Sequence, residues 1–267
     1  MMKRLFTPYS LYLLATATLA AAFTALRTVF LFTDYTAALH HFRTSGIEVF
    51  VTYGALAIAL FLLVGIFFLP RATALPKLPD GKMRYTALLP ALLFLATAVE
   101  KLVLLALLPL STLPLLFLFF SALLATLSAV PFLTAALSLS LSDSLSRFLS
   151  AVPALFAIFH AMYLYFDESH YMNDPSAMLL ILTHVALALF FLFDAKEMFD
   201  KKTRLSLFFG AVAALLSVSA ALPSLIYFTV SKVSLVSSIL SDLLLIALAA
   251  FITVRLVSRK TSSEEKK

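Results

Sequence analysis

The sequence predicts an all-α membrane protein, a polytopic bundle of about eight transmembrane helices. Its 267 residues are 62% hydrophobic and only 13% charged, whereas an ordinary soluble domain has roughly 25% charged residues. Several apolar runs exceed the ~20 residues that a helix needs to cross a bilayer. The core of a single soluble domain could not bury so many apolar segments. Short stretches of charge, proline and glycine separate these runs. We therefore expect one transmembrane domain, residues 1–258, and a short polar cytoplasmic tail, residues 259–267.

Eight apolar segments have the length expected of membrane-spanning helices. The predicted spans are Pro8–Thr33, Ile47–Leu69, Met83–Leu108, Leu113–Leu137, Leu145–Phe166, Pro175–Phe199, Leu205–Val230 and Val233–Val257. Lys3-Arg4 ahead of the first span resembles the start of a secretory signal. The apolar run continues to Phe32, which is longer than the apolar region of a signal, so a retained first helix is predicted.

Two boundaries, at 105–115 and 137–147, leave alternatives open. The turn Pro109–Pro114 carries no charge, and the alternative to two helices there is a single re-entrant unit formed by spans 3 and 4. From Leu137 to Leu145, leucine and serine alternate as they would in a strand. Because an isolated strand would leave its edges unpaired in lipid, the run instead predicts a helix end and a turn capped near Ser142-Asp143.

The distribution of Lys and Arg predicts that both chain termini are cytoplasmic. In this orientation 16 of the 20 basic residues lie on the inner side. They are Lys3, Arg4, Arg71, Lys77, Lys82, Arg84, Arg147, Lys196, Lys201, Lys202, Arg204, Arg255, Arg259, Lys260, Lys266 and Lys267. The expected location is a bacterial plasma membrane. The net charge of +6 then reflects topology and contacts with anionic lipids of the inner leaflet, and no nucleic-acid partner is predicted.

Composition and motifs limit the chemistry that this chain can perform. It has no cysteine, which excludes disulfides, thiolate metal sites and cysteine nucleophiles. It contains no His-Glu-x-x-His, Gly-x-Ser-x-Gly, P-loop or Gly-x-Gly-x-x-Gly motif. We therefore predict no catalytic residue, no metal and no cofactor. An intramembrane enzyme stays a remote alternative, because catalytic triads assemble from distant positions.

Small residues at helical spacing predict where helices approach each other closely in lipid. They occur in spans 1, 4 and 7. The three sets are Ala15, Thr18, Ala22 and Ala25; Ser121, Ala125, Ser128 and Ala129; and Gly210, Ala214, Ser217 and Ala221. We interpret them as seams inside the bundle, with a homodimer face as the alternative.

Ionisable residues in five spans form a predicted polar layer. Its members are Arg27, Glu100, Lys101, His160, His184 and Asp242. Counted along the spans, they lie roughly 9 to 14 Å below the outer surface. Asp242 is expected to continue a polar stripe of Ser231, Ser234 and Ser238, which would face the bundle or an aqueous cleft. Such charges cost several kcal/mol in hydrocarbon unless other helices provide partners.

The four full charges of this layer balance, and two pairings are open. In one, Arg27 pairs with Glu100 and Lys101 with Asp242; in the other, Arg27 pairs with Asp242. Adjacent residues on a helix point about 100° apart, so Glu100 and Lys101 should find partners on different helices. The layer is either a set of structural ion pairs that fixes helix register or a ligand or proton site open to the outside.

A second polar cluster is predicted in the loop after span 5. His160, Tyr163 and Asp167 share one helix face that leads from the layer to this loop. The candidate outer-loop cluster consists of Tyr163, Asp167, Glu168 and His170. With Asp174 these residues could bind a hard cation, but they match no ligand spacing, and Asp174 is explained as a helix N-cap. A solvated loop is the alternative, and no metal site is predicted.

Parts of the chain resemble a group of uncharacterised clostridial multi-spanning membrane proteins. The similar segments are Met2 to Tyr9, Leu26-Arg27, Asp174 to Leu182, and Phe199-Asp200 with Leu205 to Gly210. The resemblance implies an integral membrane protein of eight or so helices. It implies no activity, and span 3 with Glu100-Lys101 lies outside it.

The sequence thus favours a protein that handles a small solute or an ion through a polar layer in the outer half of its bundle. The alternative is a non-catalytic scaffold or sensor subunit of a larger complex, with an unidentified membrane protein as partner. An intramembrane enzyme is the remote third interpretation.

Overall fold

The predicted all-α bundle is confirmed by the computed structural model, in which seven helices are long and apolar enough to cross a membrane. The structure describes residues 8–36, 41–42, 47–68, 81–107, 111–139, 141–166, 175–197, 204–233, 235 and 237–258. Their helices are α1 (Pro8–Thr33), α2 (Ile47–Leu63), α3 (Gly81–Leu107), α4 (Thr112–Leu137), α5 (Asp143–Phe166), α6 (Pro175–Glu197), α7 (Arg204–Ser231) and α8 (Ile239–Val257). The chain is therefore a multi-pass helical membrane protein.

The segment after α1 holds the shorter elements of the chain. Strands β1 (Tyr35–Thr36) and β2 (His41–Phe42) pair antiparallel, with Tyr35 opposite Phe42. α2 is shorter than the seven spanning helices and continues as one 3₁₀ segment, Val64–Phe68. Together α2 and this segment cover nearly the whole of predicted span 2.

Both uncertain boundaries are resolved in favour of separate helices. Ser111 has extended backbone at the N-cap of α4, and α3 and α4 are each long and apolar enough to cross a membrane, which favours two spanning helices over one re-entrant unit. At the other end of α4, Ser138 adopts a left-handed conformation with φ of 56° and its N–H bonds to the Thr134 carbonyl. α5 then starts at Asp143, which confirms the turn predicted from the Leu–Ser run.

The predicted start of the last span, Val233, is wrong. Lys232 has a φ of 60°, which ends α7, and α8 begins only at Ile239 with Ser238 as its N-cap. Hydropathy could not locate this break, because Val233 and Leu235 are as apolar as a helix interior. Of the serines in the predicted stripe, Ser231 ends α7, Ser238 caps α8 and Ser234 lies outside the described residues.

Helices α3 to α8 pack in sequence order and close into a ring, because α8 returns to contact α3. α1 packs outside the ring against α7, and α2 packs mainly on α1. The small residues of spans 4 and 7 are buried in the ring, as predicted. Gly210 of α7, for example, lets Phe190 and Leu256 approach so closely that a Cβ would lie 3.0 and 3.1 Å from their side chains.

The prediction for span 1 is wrong: Ala15, Thr18, Ala22 and Ala25 are exposed. α1 contacts the ring through other residues, among them the buried Phe23. Small residues mark where a close approach is possible, but they do not require one, and a peripheral helix leaves much of its surface to lipid.

Phenylalanine rings fill the middle of the ring of helices. Phe132 of α4 lies 5.5 Å from Phe94, 6.0 Å from Phe191 and 5.0 Å from Phe251, measured between ring centroids. Phe94 in turn meets Phe156 of α5 at 5.1 Å, edge to face. Four helices besides α4 thus contribute to one aromatic core.

At the predicted inner end, a buried ion pair joins α6 to α8. The Nε of Arg255 donates to the Asp194 carboxylate at 2.8 Å. Arg204, at the start of α7, is nearer to Asp194 in sequence, but it donates to the Phe67 carbonyl at 2.9 Å. The ion pair between Asp194 and Arg255 therefore joins two helices, α6 and α8, that do not follow each other in sequence.

Candidate functional site: a buried polar cluster

Lys101 lies at the centre of the candidate site. It projects from α3, is only 3% exposed, and places its Nζ 3.1 Å from Nδ1 of His160 on α5. The Nζ also lies 5.5 Å from the centroid of the Tyr163 ring, within the range of a cation–π contact. One α-helical turn separates His160 from Tyr163, so α5 presents both to the same amine.

His184 of α6 completes the group. Its ring stands edge-on to the His160 ring, with 4.6 Å between centroids, and both rings are about 95% buried. Nδ1 of His184 lies 2.8 Å from the Leu180 carbonyl. Since a carbonyl only accepts, this Nδ1 carries the hydrogen and Nε2 is left as an acceptor in the neutral ring.

A cavity of about 10 Å³ lies beside the two rings. Its polar lining comes from His160, His184 and Ser241 of α8, and the remainder is apolar, including Phe94 and Phe156. The volume is close to the space that one water molecule requires. The cavity is therefore a mostly apolar pocket with three polar residues on its wall, next to the aromatic core, at a place where α3, α5, α6 and α8 meet.

Glu100 is attached to a different polar group from its neighbour Lys101. Its carboxylate accepts a hydrogen bond of 2.9 Å from the Ser238 hydroxyl. Ser238 is the N-cap of α8, where its oxygen also accepts from the Ser241 N–H at 3.2 Å. The hydroxyls of Ser238 and Ser241 are 3.1 Å apart, so α3 is linked through the α8 cap to the wall of the cavity.

Asp242 lies in the first turn of α8 and is 2% exposed. Its carboxylate accepts from the Ser237 hydroxyl at 2.5 Å and also bonds to Ser224 of α7. The Arg27 guanidinium is close enough for the two charges to attract each other. A carboxylate in the first turn of a helix is further stabilised by the helix dipole.

Arg27 connects this carboxylate to α6. It is 5% exposed, and its Nη2 donates to the Ser176 hydroxyl at 3.1 Å. Ser176 is the second residue of α6, so this hydrogen bond ties the peripheral α1 to a helix of the ring.

The structure brings together what the sequence predicted as a layer, but in two groups. Lys101, His160 and His184 form one group with Tyr163, and Asp242 and Arg27 form another. Of the two pairings, that of Arg27 with Asp242 is supported by an electrostatic attraction between the two charges. The described hydrogen bonds of Glu100 and Lys101 go to Ser238 and His160 instead of to the partners in the other pairing. Asp167, Glu168, His170 and Asp174 of the predicted outer-loop cluster lie outside the described residues.

Sequence reasoning missed the serines that connect these charges. Four serines bond to members of the site: Ser176 to Arg27, Ser224 and Ser237 to Asp242, and Ser241 to Ser238. Ser237, Ser238 and Ser241 flank Asp242 in sequence, and a serine-rich helix start beside a buried carboxylate is the signal that could have found them. Ser176 and Ser224 carry no such signal, since they reach the site only through tertiary packing.

Chemically, the site can hold and exchange protons and can bind a small polar species next to the histidines. In the described part of the chain, no three His, Asp or Glu side chains converge on one point that could hold a metal ion. Fold and site together define a multi-span helical membrane protein with a polar cluster buried beneath one end of its bundle. Comparison with protein-family models, with curated proteins and with solved structures gives no match.

Proposed function

We propose that this protein handles a small solute or an ion across a bacterial plasma membrane, coupled to protons that bind at Lys101, His160 and His184. The observation that carries the proposal is the contact of these three ionisable side chains, all at least 95% buried, beside a cavity. Ionisable groups at membrane depth are costly, and they mark ion and proton pathways. A device that only fixes helix register would not require three buried titratable side chains in one cluster, two of them on the wall of a cavity.

The aromatic core supports a site that opens toward one end only. Phe94 lies six residues before Glu100 on α3, about 9 Å along the helix, and it lines the cavity together with Phe156. The aromatic rings around Phe132 therefore lie toward the end of the bundle opposite to Glu100. The outward orientation rests on the distribution of Lys and Arg and places the basic ends of the helices on anionic inner-leaflet lipids.

Proton movement into proteoliposomes tests the proposal. The purified protein is reconstituted with a pH-sensitive dye inside the vesicles, and sodium, potassium, chloride and acetate gradients are imposed in turn. We expect at least one gradient to move protons faster than in protein-free vesicles, and Lys101→Met and His160→Gln to reduce this movement to the protein-free level. Glu100→Gln and Asp242→Asn should alter its pH dependence while the protein stays folded.

Thr183→Val is the matched control. Thr183 is fully buried next to His184, but its hydroxyl bonds to the Leu179 carbonyl of its own helix, so its replacement leaves the cluster intact. Flux through this variant should equal that of the wild type. Wild-type flux in Lys101→Met or His160→Gln, or no proton movement under any gradient, would reject proton coupling at this site and leave a scaffold or sensor role.

A further inference from the structure

We propose that a proton route connects Glu100 to its sequence neighbour Lys101 by a detour through α8 and the two histidines, with one water molecule in the cavity as its middle link. The inference deepens the proposed function and rests on it, since it assigns how protons reach the buried cluster. It names one new ligand, a water held by His160, His184 and Ser241.

The first part of the route follows a chain of hydroxyls. Ser238 donates to the Glu100 carboxylate at 2.9 Å and lies 3.1 Å from the Ser241 hydroxyl. A serine hydroxyl has one hydrogen to donate and lone pairs to accept with, so it can take a proton on one side and release one on the other. Glu100 and Ser238 are only partly buried, whereas the residues beyond them are buried, so protons enter at Glu100.

The cavity supplies the middle link. Ser241 and the two imidazoles line it together, and its volume of about 10 Å³ is near that of a single water-sized site. A buried water persists where about two to four polar groups bond to it. Three such groups are available: the Ser241 hydroxyl, the acceptor Nε2 of His184 and Nε2 of His160.

The final step crosses the His160 ring. Its Nδ1 lies 3.1 Å from the Lys101 Nζ, which leaves Nε2 for the side away from the amine. An imidazole that gains a proton at one nitrogen can lose one from the other. A proton that reaches Nε2 from the water is thus matched by one that leaves Nδ1 for the amine.

The protons balance over the whole route. The route starts from a protonated Glu100 and a neutral Lys101 amine: Glu100 loses one proton and Lys101 gains one. Each hydroxyl and the water keep their valence, and the hydrogen of His160 moves from Nδ1 to Nε2. Other charged or titratable groups flank the route: Tyr163 faces the amine from α5, and Asp242 follows Ser241 on α8, with Arg27 near it. None of these bridges Glu100 to Lys101 directly, because the two neighbours point to different sides of α3.

A proton pulse on the wild-type protein and on Ser241 variants tests the route. The full chain, with ¹³C-labelled histidine, is placed in lipid nanodiscs, and a light-triggered acid releases protons. Time-resolved infrared spectra follow the imidazole bands, and a His160→Gln/His184→Gln double variant identifies the signal of the two buried rings. We expect Ser241→Ala and Glu100→Gln to slow this signal at least tenfold without changing its final amplitude.

Two further variants keep the test independent of folding. Ser241→Thr retains a hydroxyl and should restore wild-type kinetics. Ser121→Ala removes a fully buried hydroxyl of α4 that makes no described hydrogen bond and should have no effect. A wild-type rate in folded Ser241→Ala, or buried rings that never respond to the pulse in the wild type, would overturn the route.

The same measurement separates the route from the proposed function. A signal that depends on Ser241 in nanodiscs, combined with proteoliposomes that move no protons, would keep the route and reject transport. Proton movement in proteoliposomes that persists in Ser241→Ala would keep proton coupling and reject the route.

Discussion

Glu100 and Lys101 are adjacent in the chain, yet their side chains belong to different hydrogen-bonded groups. The carboxylate accepts from Ser238, at the cap of α8, while the amine contacts His160 of α5 at 3.1 Å. The divergence follows from the rotation of about 100° per residue in a helix. Two neighbouring charges thereby bind α3 to two helices that lie on opposite sides of it in the ring.

A double-mutant cycle distinguishes the two charge pairings suggested by the sequence. We expect Arg27→Ala and Asp242→Ala to be strongly non-additive, with a coupling of about 0.5 to 3 kcal/mol, because the two charges attract each other in a buried environment. Thermal unfolding in mild detergent measures the free-energy changes. Arg27→Ala combined with Glu100→Ala is the control and should be additive to within about 0.5 kcal/mol. Additive effects for Arg27→Ala with Asp242→Ala, together with strong coupling between Arg27→Ala and Glu100→Ala, would contradict the proposed pairing.

The ion pair between Asp194 and Arg255 should be costly to break from one side. Asp194→Asn leaves a buried guanidinium without its charge partner, which destabilises by about 3 to 5 kcal/mol in comparable cases. Lys196 lies on the same helix but is exposed, and Lys196→Ala should change stability by less than about 0.5 kcal/mol. Equal melting temperatures for the two variants would show that the pair does not hold α6 to α8.

Gly210 and Gly54 should respond in opposite ways to alanine. At Gly210 a Cβ would lie 3.0 Å from the Phe190 ring and 3.1 Å from Leu256, so we expect a loss of about 1 to 3 kcal/mol from overpacking. At Gly54 no atom lies within 4 Å of the new Cβ. There alanine should be neutral or stabilising by up to about 1 kcal/mol, since glycine is the weaker helix former. Thermal unfolding of both variants checks the contrast.

Because the chain has no cysteine, single cysteines report its orientation without any background to remove. Val233 lies between α7 and α8, Leu139 lies between α4 and α5, and both are exposed. In intact bacterial cells, we expect a membrane-impermeant maleimide to label Val233→Cys at once and Leu139→Cys only after permeabilisation. The reverse labelling pattern would invert the predicted topology and place the polar cluster near the inner surface.

The helices were predictable because their signal is local. Span length, charge and proline define both ends of α1 and the start of α6. Within an apolar span, lipid offers no partner for unpaired backbone N–H and C=O groups, so the segment has to be helical. The break at 232–238 was not predictable in the same way. It depends on a left-handed Lys232 and on the Ser238 cap, and neither changes the mean hydropathy of the segment.

The membership of the polar layer was predictable, but its connections were not. Arg27, Lys101 and Asp242 stand out in apolar runs because charge is expensive there. Which of them meet depends on the closure of the ring by α3 and α8, and a sequence does not display that closure. The serine contacts also depend on the closure of the ring. A serine costs little free energy in a membrane helix, so the presence of Ser241 in an apolar span does not indicate a role.

Closure of the ring by α3 and α8 has a consequence for how the chain is made. Helices enter the bilayer in the order in which the ribosome releases them, so α3 arrives before any helix that contacts its two charged residues. The partner of Glu100 is at the start of α8 and that of Lys101 is on α5, and both helices are inserted after α3. Until then each ionised group is unpaired, at a cost of about 2.5 to 3.5 kcal/mol at mid-membrane. Biogenesis of this protein therefore passes through a half-built state in which the apolar length of α3 alone keeps two charges in the membrane.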